Sequence, residues 1–154
     1  MARNRLQHLT PNDWLLISAR AKRRTFKLGE VLIQQGSAGD RIYIIRNGEA
    51  EVALASTSTR EVVAVLGPDD ICGDMAFLEK GKASAAVVTK SAELEADEIM
   101  WDDLRELFQA FPRLASRFYL SLAVVLARRL RETSKELARE MATSDRKDWS
   151  HLTV

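Results

Sequence analysis

All seven glycines of this chain fall between positions 29 and 81, at Gly29, Gly36, Gly39, Gly48, Gly67, Gly73 and Gly81. The runs between them are short and rich in Val, Ile and Ala. That spacing predicts many short strands joined by tight turns, and hence a sandwich, barrel or jelly roll over residues 25–100. One hairpin is expected at Arg41–Ile45, Asn47-Gly48 and Glu49–Leu54, because Asn-Gly supplies the positive φ values of a two-residue turn. Past the turn, Ala50, Val52 and Leu54 alternate with Glu49, Glu51 and Ala53, which predicts one buried face. Further strands are expected at Glu61–Leu66, Ala83–Thr89 and Ala92–Ala96. A polar loop at Ser56–Arg60 and the stop signal Gly67-Pro68-Asp69-Asp70 separate them.

Helical patterns flank this region. Thr10-Pro11-Asn12-Asp13 combines a Thr cap, Pro at the first helical position and an acid in the first turn. It predicts a short helix over 11–20. The basic run Ala19–Arg24 reads as the solvated end of that helix rather than a nucleic-acid patch. From Asp102 the period is helical again. Leu104, Leu107 and Phe108 share a face of a helix that stops before Pro112. A long helix follows, in which Leu122, Leu126, Leu130 (or Arg129), Thr133, Leu137 and Met141 recur at steps of four and three. This is the spacing of a coiled-coil seam. Its first turns are expected to pack on the roll and its later turns on a second copy. The expected organisation is one domain over 1–142 (helix 11–20, roll 25–100, helices 102–142) and a flexible tail over 143–154. Trp149 in that tail reads as incidental or as a weak docking residue.

Composition narrows the function classes. The 154 residues carry a net charge of +1, so no global field selects nucleic acid or an anionic membrane. The single cysteine, Cys72, cannot make an internal disulfide, which points to a reducing, cytoplasmic setting. The apolar stretch Leu120–Leu130 is interrupted by Ser121 and Arg128-Arg129, too short and too charged to span a bilayer. The segment Met1–Thr10 lacks the apolar core of a signal peptide. His8 and His151 stand near the two ends, away from the roll. No Ser/His or Cys/His pair falls within it, and there is no glycine-lysine phosphate loop, so no enzyme and no metal site is expected.

The segment Ile71-Cys72-Gly73-Asp74-Met75-Ala76-Phe77-Leu78-Glu79-Lys80-Gly81-Lys82-Ala83-Ser84-Ala85-Ala86-Val87 carries most of the functional signal. It reads as a strand end, a glycine, an acid, a short helical turn, a second glycine and a new strand. Amides at a helix start point outward with partial positive charge, a setting for an anion. An acid beside them can take a hydrogen bond from a sugar hydroxyl. A phosphate and a ribose are therefore both plausible guests.

This segment resembles the phosphate-binding cassette of the cyclic-nucleotide-binding superfamily. Phe26–Gly36 resembles that family's first strands, and Asp40–Val52 its central hairpin. Ala127-Arg128-Arg129-Leu130-Arg131-Glu132-Thr133-Ser134 is similar to the long dimer helix of catabolite activators. The resemblance implies a double-stranded β-helix, or jelly roll, with a short N-terminal helix and a long C-terminal dimerisation helix. It implies cAMP or cGMP as ligand. Gly73, Asp74, Met75, Lys82, Ser84, Ala85, Thr133 and Ser134 are the implied ligand-binding set. Within it, Gly73 admits the backbone to the ligand, Asp74 stands where Glu meets the ribose, and the amides near Ala85 meet the phosphate. Thr133 and Ser134 match the base contacts, one from each protomer.

Two positions depart from the family pattern. Ser84 stands where an arginine pairs with the phosphate, and Asp74 is a methylene shorter than Glu. Losing the charge-assisted pair costs about 1.5–3 kcal/mol, or roughly 10- to 150-fold in affinity. Lys82 is either a substitute point charge, if the strand has begun by then, or a solvated loop lysine. Thr133 and Ser134 are base contacts or register devices in a dimer seam. Cys72 is a redox sensor or a buried structural thiol. The expected function is a stand-alone, homodimeric regulatory sensor that binds a cyclic nucleotide weakly or in an atypical fashion. The alternatives are a different nucleotide guest, a cyclic dinucleotide for instance, or a degenerate pocket on a dimeric module for an unknown protein partner. The catabolite activators continue into a helix-turn-helix, whereas here Val154 falls about where that module would begin, so DNA binding is not expected.

Overall fold

The computed structural model describes residues 5–149, with side chains through residue 145. Helix α1 (Pro11–Arg20) leads into eight strands: β1 (Lys22–Lys27), β2 (Val31–Ile33), β3 (Arg41–Asn47), β4 (Ala50–Ala55), β5 (Arg60–Leu66), β6 (Ile71–Cys72), β7 (Ala86–Thr89) and β8 (Glu93–Met100). Helix α2 (Asp74–Glu79) interrupts them between β6 and β7, and α3 (Trp101–Ala110) and α4 (Pro112–Trp149) follow. The strands form two antiparallel four-stranded sheets, ordered β1-β8-β3-β6 and β2-β7-β4-β5. This is the jelly roll with flanking helices that the glycine spacing and the resemblance predict. Helix α4 continues through residues 143–149, which the sequence reading assigned to a tail. His151 lies outside the described residues, as does the side chain of Trp149.

The first sheet is covered on both faces, and β3 shows why its sequence is an unbroken apolar run. Ile42 and Ile44 point into a core shared with α1, α3 and α4, together with Phe77, Leu104, Phe118 and Leu122. Tyr43 and Ile45 point the other way, into the space between the sheets, with Phe26, Cys72, Val87 and Leu94. Alternate side chains of one strand thus serve two cores.

Three local expectations are corrected. The Asn47-Gly48 turn is real, with Gly48 at φ +90°, but β3 and β4 are not paired with each other. β3 pairs with β8 and β6, and β4 with β5 and β7. The turn is a corner between sheets. A Cβ on Gly48 would lie 2.5 Å from the Glu93 carbonyl, so the chain passes too close to β8 for a side chain. Second, the alternation along β4 breaks. A register shift between Val52 and Ala53 buries Ala53 and leaves Leu54 42% exposed. Third, the basic run is not a helix end. α1 stops at Arg20, and Lys22–Arg24 belong to β1.

The arginines of β1 answer acids on β8. Arg23 Nε donates to Asp97 at 2.7 Å, and Arg46 Nε donates to the same carboxylate at 2.6 Å. Burial opposes the charge on Asp97, but the two guanidiniums outweigh it and hold the carboxyl below its usual range. Arg24 donates to Glu98 at 2.9 Å, and the buried Tyr43 hydroxyl donates to it at 3.0 Å. Burial, with that bond second, pushes the Tyr43 phenol up to about 12.

Asp13 ties α1 to α4. It closes a capping box with Thr10, and Arg117 clasps it with a fork of 2.6 and 2.8 Å. The Arg117 bond, opposed by burial, lowers the Asp13 carboxyl to about 2. The folded carboxyl thus holds its charge to lower pH than the unfolded one. Its contribution is complete above about pH 4 and is lost as pH falls toward 2. Since Arg117 is partly exposed, that contribution is about 1–2 kcal/mol. Asp13→Asn is expected to lose this amount in urea unfolding at pH 7. The gap between variant and parent should shrink as unfolding is repeated below pH 4.

Candidate ligand-binding site

The site is built where the first sheet ends. The two-residue β6 pairs Cys72 with Tyr43 and Ile71 with Ile44. The chain then turns at Gly73, whose φ of +86° suits glycine. A Cβ there would lie 2.8 Å from the Arg41 carbonyl, so the turn also depends on close backbone approach. Helix α2 follows, and its first intrahelical bond runs from the Phe77 amide to the Gly73 carbonyl at 3.3 Å. The amides ahead of it belong to the group that helices leave without intrahelical partners. Lys80, in the left-handed region at φ +53°, ends the helix. Helix α2 is anchored by Phe77, which packs edge-on against Trp101 and Phe118.

An open cavity of about 1020 Å³ lies between this segment, the β4–β5 hairpin and α4. That is at the upper end of the roughly 300–1,000 Å³ of small-ligand sites. Gly73, Asp74, Met75, Ser84 and Ala85 line one side, and Val52, Leu54, Val63 and Val65 supply an apolar wall. Helix α4 contributes Arg129, Glu132, Thr133 and Glu136. Glu132, Thr133 and Glu136 stand three, four and seven residues after Arg129, which puts all four on one stripe of the helix. An apolar wall for a ring, a polar helix stripe and outward amides together suit a nucleotide-sized guest.

Of the eight residues in the expected set, six line this cavity. Lys82 does not. It forms an isolated bridge with Ala38, and β7 begins only at Ala86, so the strand alternation that would align Lys82 with Ser84 is missing. Ser134 is not in the lining either. It belongs to the neighbouring stripe Leu130, Ser134, Leu137, Met141, spaced four, three and four. The three apolar members of that stripe are 70%, 56% and 61% exposed. Leu122 and Leu126 instead pack on the chain's own core. The coiled-coil spacing therefore divides. Its early members face inward, Thr133 faces the cavity, and the exposed seam passes through Ser134.

Arg129 is the site residue that the sequence reading left as one alternative in a seam. Its Nη1 donates to Asp74 at 2.9 Å and its Nη2 to the Ile71 carbonyl at 2.8 Å. Asp74 is only 2% exposed, and the guanidinium offsets part of the cost of taking its carboxylate out of water. One guanidinium thus joins α4 to both ends of the Gly73 turn. The available signal was the acid at 74 beside a basic pair on a helix, which does not say which arginine turns inward. Cys72 is buried against the same turn, and burial pushes its thiol up to about 12, far from the thiolate that redox sensing requires.

The comparisons agree with this architecture. The sequence profile described as "Cyclic nucleotide-binding domain" matches residues 23–111. The cyclic AMP receptor protein of Thermus thermophilus is 32% identical over 131 residues, 84% of this chain and 58% of that protein. Cyclic GMP-binding protein C of Dictyostelium discoideum is 32% identical over 143 residues, 88% of this chain and 5% of that protein. Among solved structures, the catabolite activator protein of Thermus thermophilus superposes with a TM-score of 0.73 at 28% identity, covering 88% of this chain and 62% of the other. A cyclic nucleotide-binding domain from Methylobacillus flagellatus shares the fold, with a TM-score of 0.79 at 20% identity over 86% of this chain and 74% of that one. The chain belongs to the cyclic nucleotide-binding domain family. It spans a little over half the length of one of these two curated relatives and a small fraction of the other.

Arg129→Ala leaves the Asp74 carboxylate buried without its guanidinium. The expected cost is about 2–3 kcal/mol in denaturant unfolding, below the roughly 3–5 kcal/mol of a fully buried pair because Arg129 is partly exposed. In the Asp74→Asn background the same truncation should cost markedly less, and the double-mutant cycle measures the difference.

Proposed function

We propose that this chain is a non-catalytic regulatory sensor that binds a cyclic nucleotide between the Gly73–Ala85 segment and helix α4, and that it acts as a homodimer. The observation that carries the reading is the shared cavity. The segment and the helix stripe form its two sides, and Arg129 already links them. In this reading the phosphate lies against the amides near Ala85 with Ser84 as a neutral contact. The ribose meets Asp74, and the base extends toward Thr133. Because Arg129 holds Asp74 and the Ile71 carbonyl, a guest that takes up Asp74 changes how tightly α4 is held. That is a two-state handle on the helix. Both cAMP and cGMP suit the outline, and Ser84 in place of arginine makes binding weak.

The dimer follows from the exposed stripe. Leu130, Leu137 and Met141 occupy heptad core positions with Ser134 among them, and a parallel second copy would bury them. Ser134 of each copy would then stand near the other's cavity edge. A second reading, a dimeric interaction module whose pocket no longer binds, is favoured by one observation: Arg129 already satisfies Asp74.

Isothermal titration with cAMP and cGMP decides between them. Binding in the micromolar to millimolar range is expected, with no heat at millimolar nucleotide as the contrary result. Ser84→Arg should tighten binding roughly 10- to 150-fold by restoring the bidentate phosphate pair. Leu137→Lys with Met141→Lys should shift the protein from dimer to monomer in sedimentation velocity without lowering its helix content.

A further inference from the structure

Among the described residues, six carboxylate side chains line the cavity, those of Glu49, Asp69, Asp70, Asp74, Glu132 and Glu136, together with one cation, Arg129. Arg129 is already engaged, donating to Asp74 and to the Ile71 carbonyl. Two further cations stand outside the lining, Arg46 at 3.7 Å from Asp69 and Lys90 at 4.0 Å from Glu49. With both counted, six acids stand against three cations, so at neutral pH the field inside the cavity is negative. Ser84, where the resemblance places a phosphate arginine, adds a hydroxyl to the lining and no charge.

We infer that this cavity prefers an uncharged nucleoside to the corresponding cyclic monophosphate. The inference rests on the proposed function for the pose of sugar and base and departs from it at the phosphate. A cyclic phosphate brings one negative charge and, at that end, acceptors only. A nucleoside keeps the base and the 2′-hydroxyl and carries 3′- and 5′-hydroxyls in place of the phosphodiester. Each of these can donate to a carboxylate or accept from an amide near Ala85. An acceptor-rich lining therefore gains partners when the phosphate is removed. The opposing effect is the attraction of helix-start amides for an anion. It is small here, because α2 is six residues long and carries the Asp74 carboxylate in its own first turn. A phosphate would also have to share Arg129 with a carboxylate that is 2% exposed.

The test is isothermal titration of the full chain with three guests of one shape and different charge: anionic cAMP, neutral adenosine and the cation 5′-amino-5′-deoxyadenosine. Affinity is expected to rise in that order, by roughly threefold to tenfold per step at low salt. Going from about 20 mM to about 500 mM NaCl should strengthen cAMP binding, weaken that of the amine and leave adenosine within about twofold. Guanosine should likewise bind more tightly than cGMP. Ser84→Arg places a cation at an exposed lining position and should put cAMP ahead of adenosine. The parent protein's series stands as a test without that variant. Tighter binding of cAMP than of adenosine by the parent protein, or an amine no tighter than adenosine, would overturn the inference while leaving cyclic-nucleotide sensing intact. So would a Ser84→Arg protein that binds both and still prefers adenosine. Heat from the nucleosides and none from cAMP or cGMP would uphold the inference and overturn the cyclic-nucleotide reading. Heat from none of these guests would overturn both.

Discussion

The buried pair between Asp74 and Arg129 is the contact on which the rest of the site depends. A carboxylate excluded from water at the mouth of a short helix is tolerable only with a guanidinium on it. The residue that provides one stands more than fifty positions away, on α4. The same guanidinium reaches the Ile71 carbonyl, so it fixes the Gly73 turn from both sides. A cavity wall and a long helix that could otherwise move separately are held at a set distance.

The first sheet makes this arrangement rigid where it needs to be. Each of its central strands feeds two cores, one between the sheets and one under the helices. β6, though only two residues long, splits in the same way: Ile71 belongs to the helix core and Cys72 to the core between the sheets. Phe77 then sends α2 into the helix core, against Trp101 and Phe118. The segment that faces the cavity is therefore bound on its rear side to α3 and α4 by aromatic packing and on its front side to α4 by an ion pair. A displacement of α2 has a packed route to both helices.

Much of this was legible from residues alone, and the misses have physical causes. The caps at Thr10 and Pro112, the glycine spacing, and the strand–helix–strand run over 71–87 are local signals, and the elements formed close to where those signals put them. The Asn47-Gly48 turn was also read correctly as a turn. Its partners were not, because turn chemistry specifies a reversal and not which sheet each arm joins. Leu54 was expected to be buried and is half-exposed, since a bulge at Val52–Ala53 leaves no mark in the pattern. Lys22–Arg24 read as a solvated helix end because their acids, Asp97 and Glu98, lie over seventy residues away in β8. Arg129 was hidden for the same reason: its role comes from a long-range partner. On α4, two adjacent stripes one residue out of phase had merged into one seam. Burial separates them into an inward set, a cavity set and an exposed set.

The central claim is that this cavity holds a cyclic nucleotide between the Gly73 turn and the α4 stripe. The most direct measurement is a crystal structure grown with millimolar cGMP. The account predicts density for the nucleotide in the cavity, its phosphate beside Ser84 and Ala85, its ribose at Asp74 and its base against Thr133. Well-ordered crystals with solvent alone in the cavity and the Asp74–Arg129 pair unchanged would contradict it.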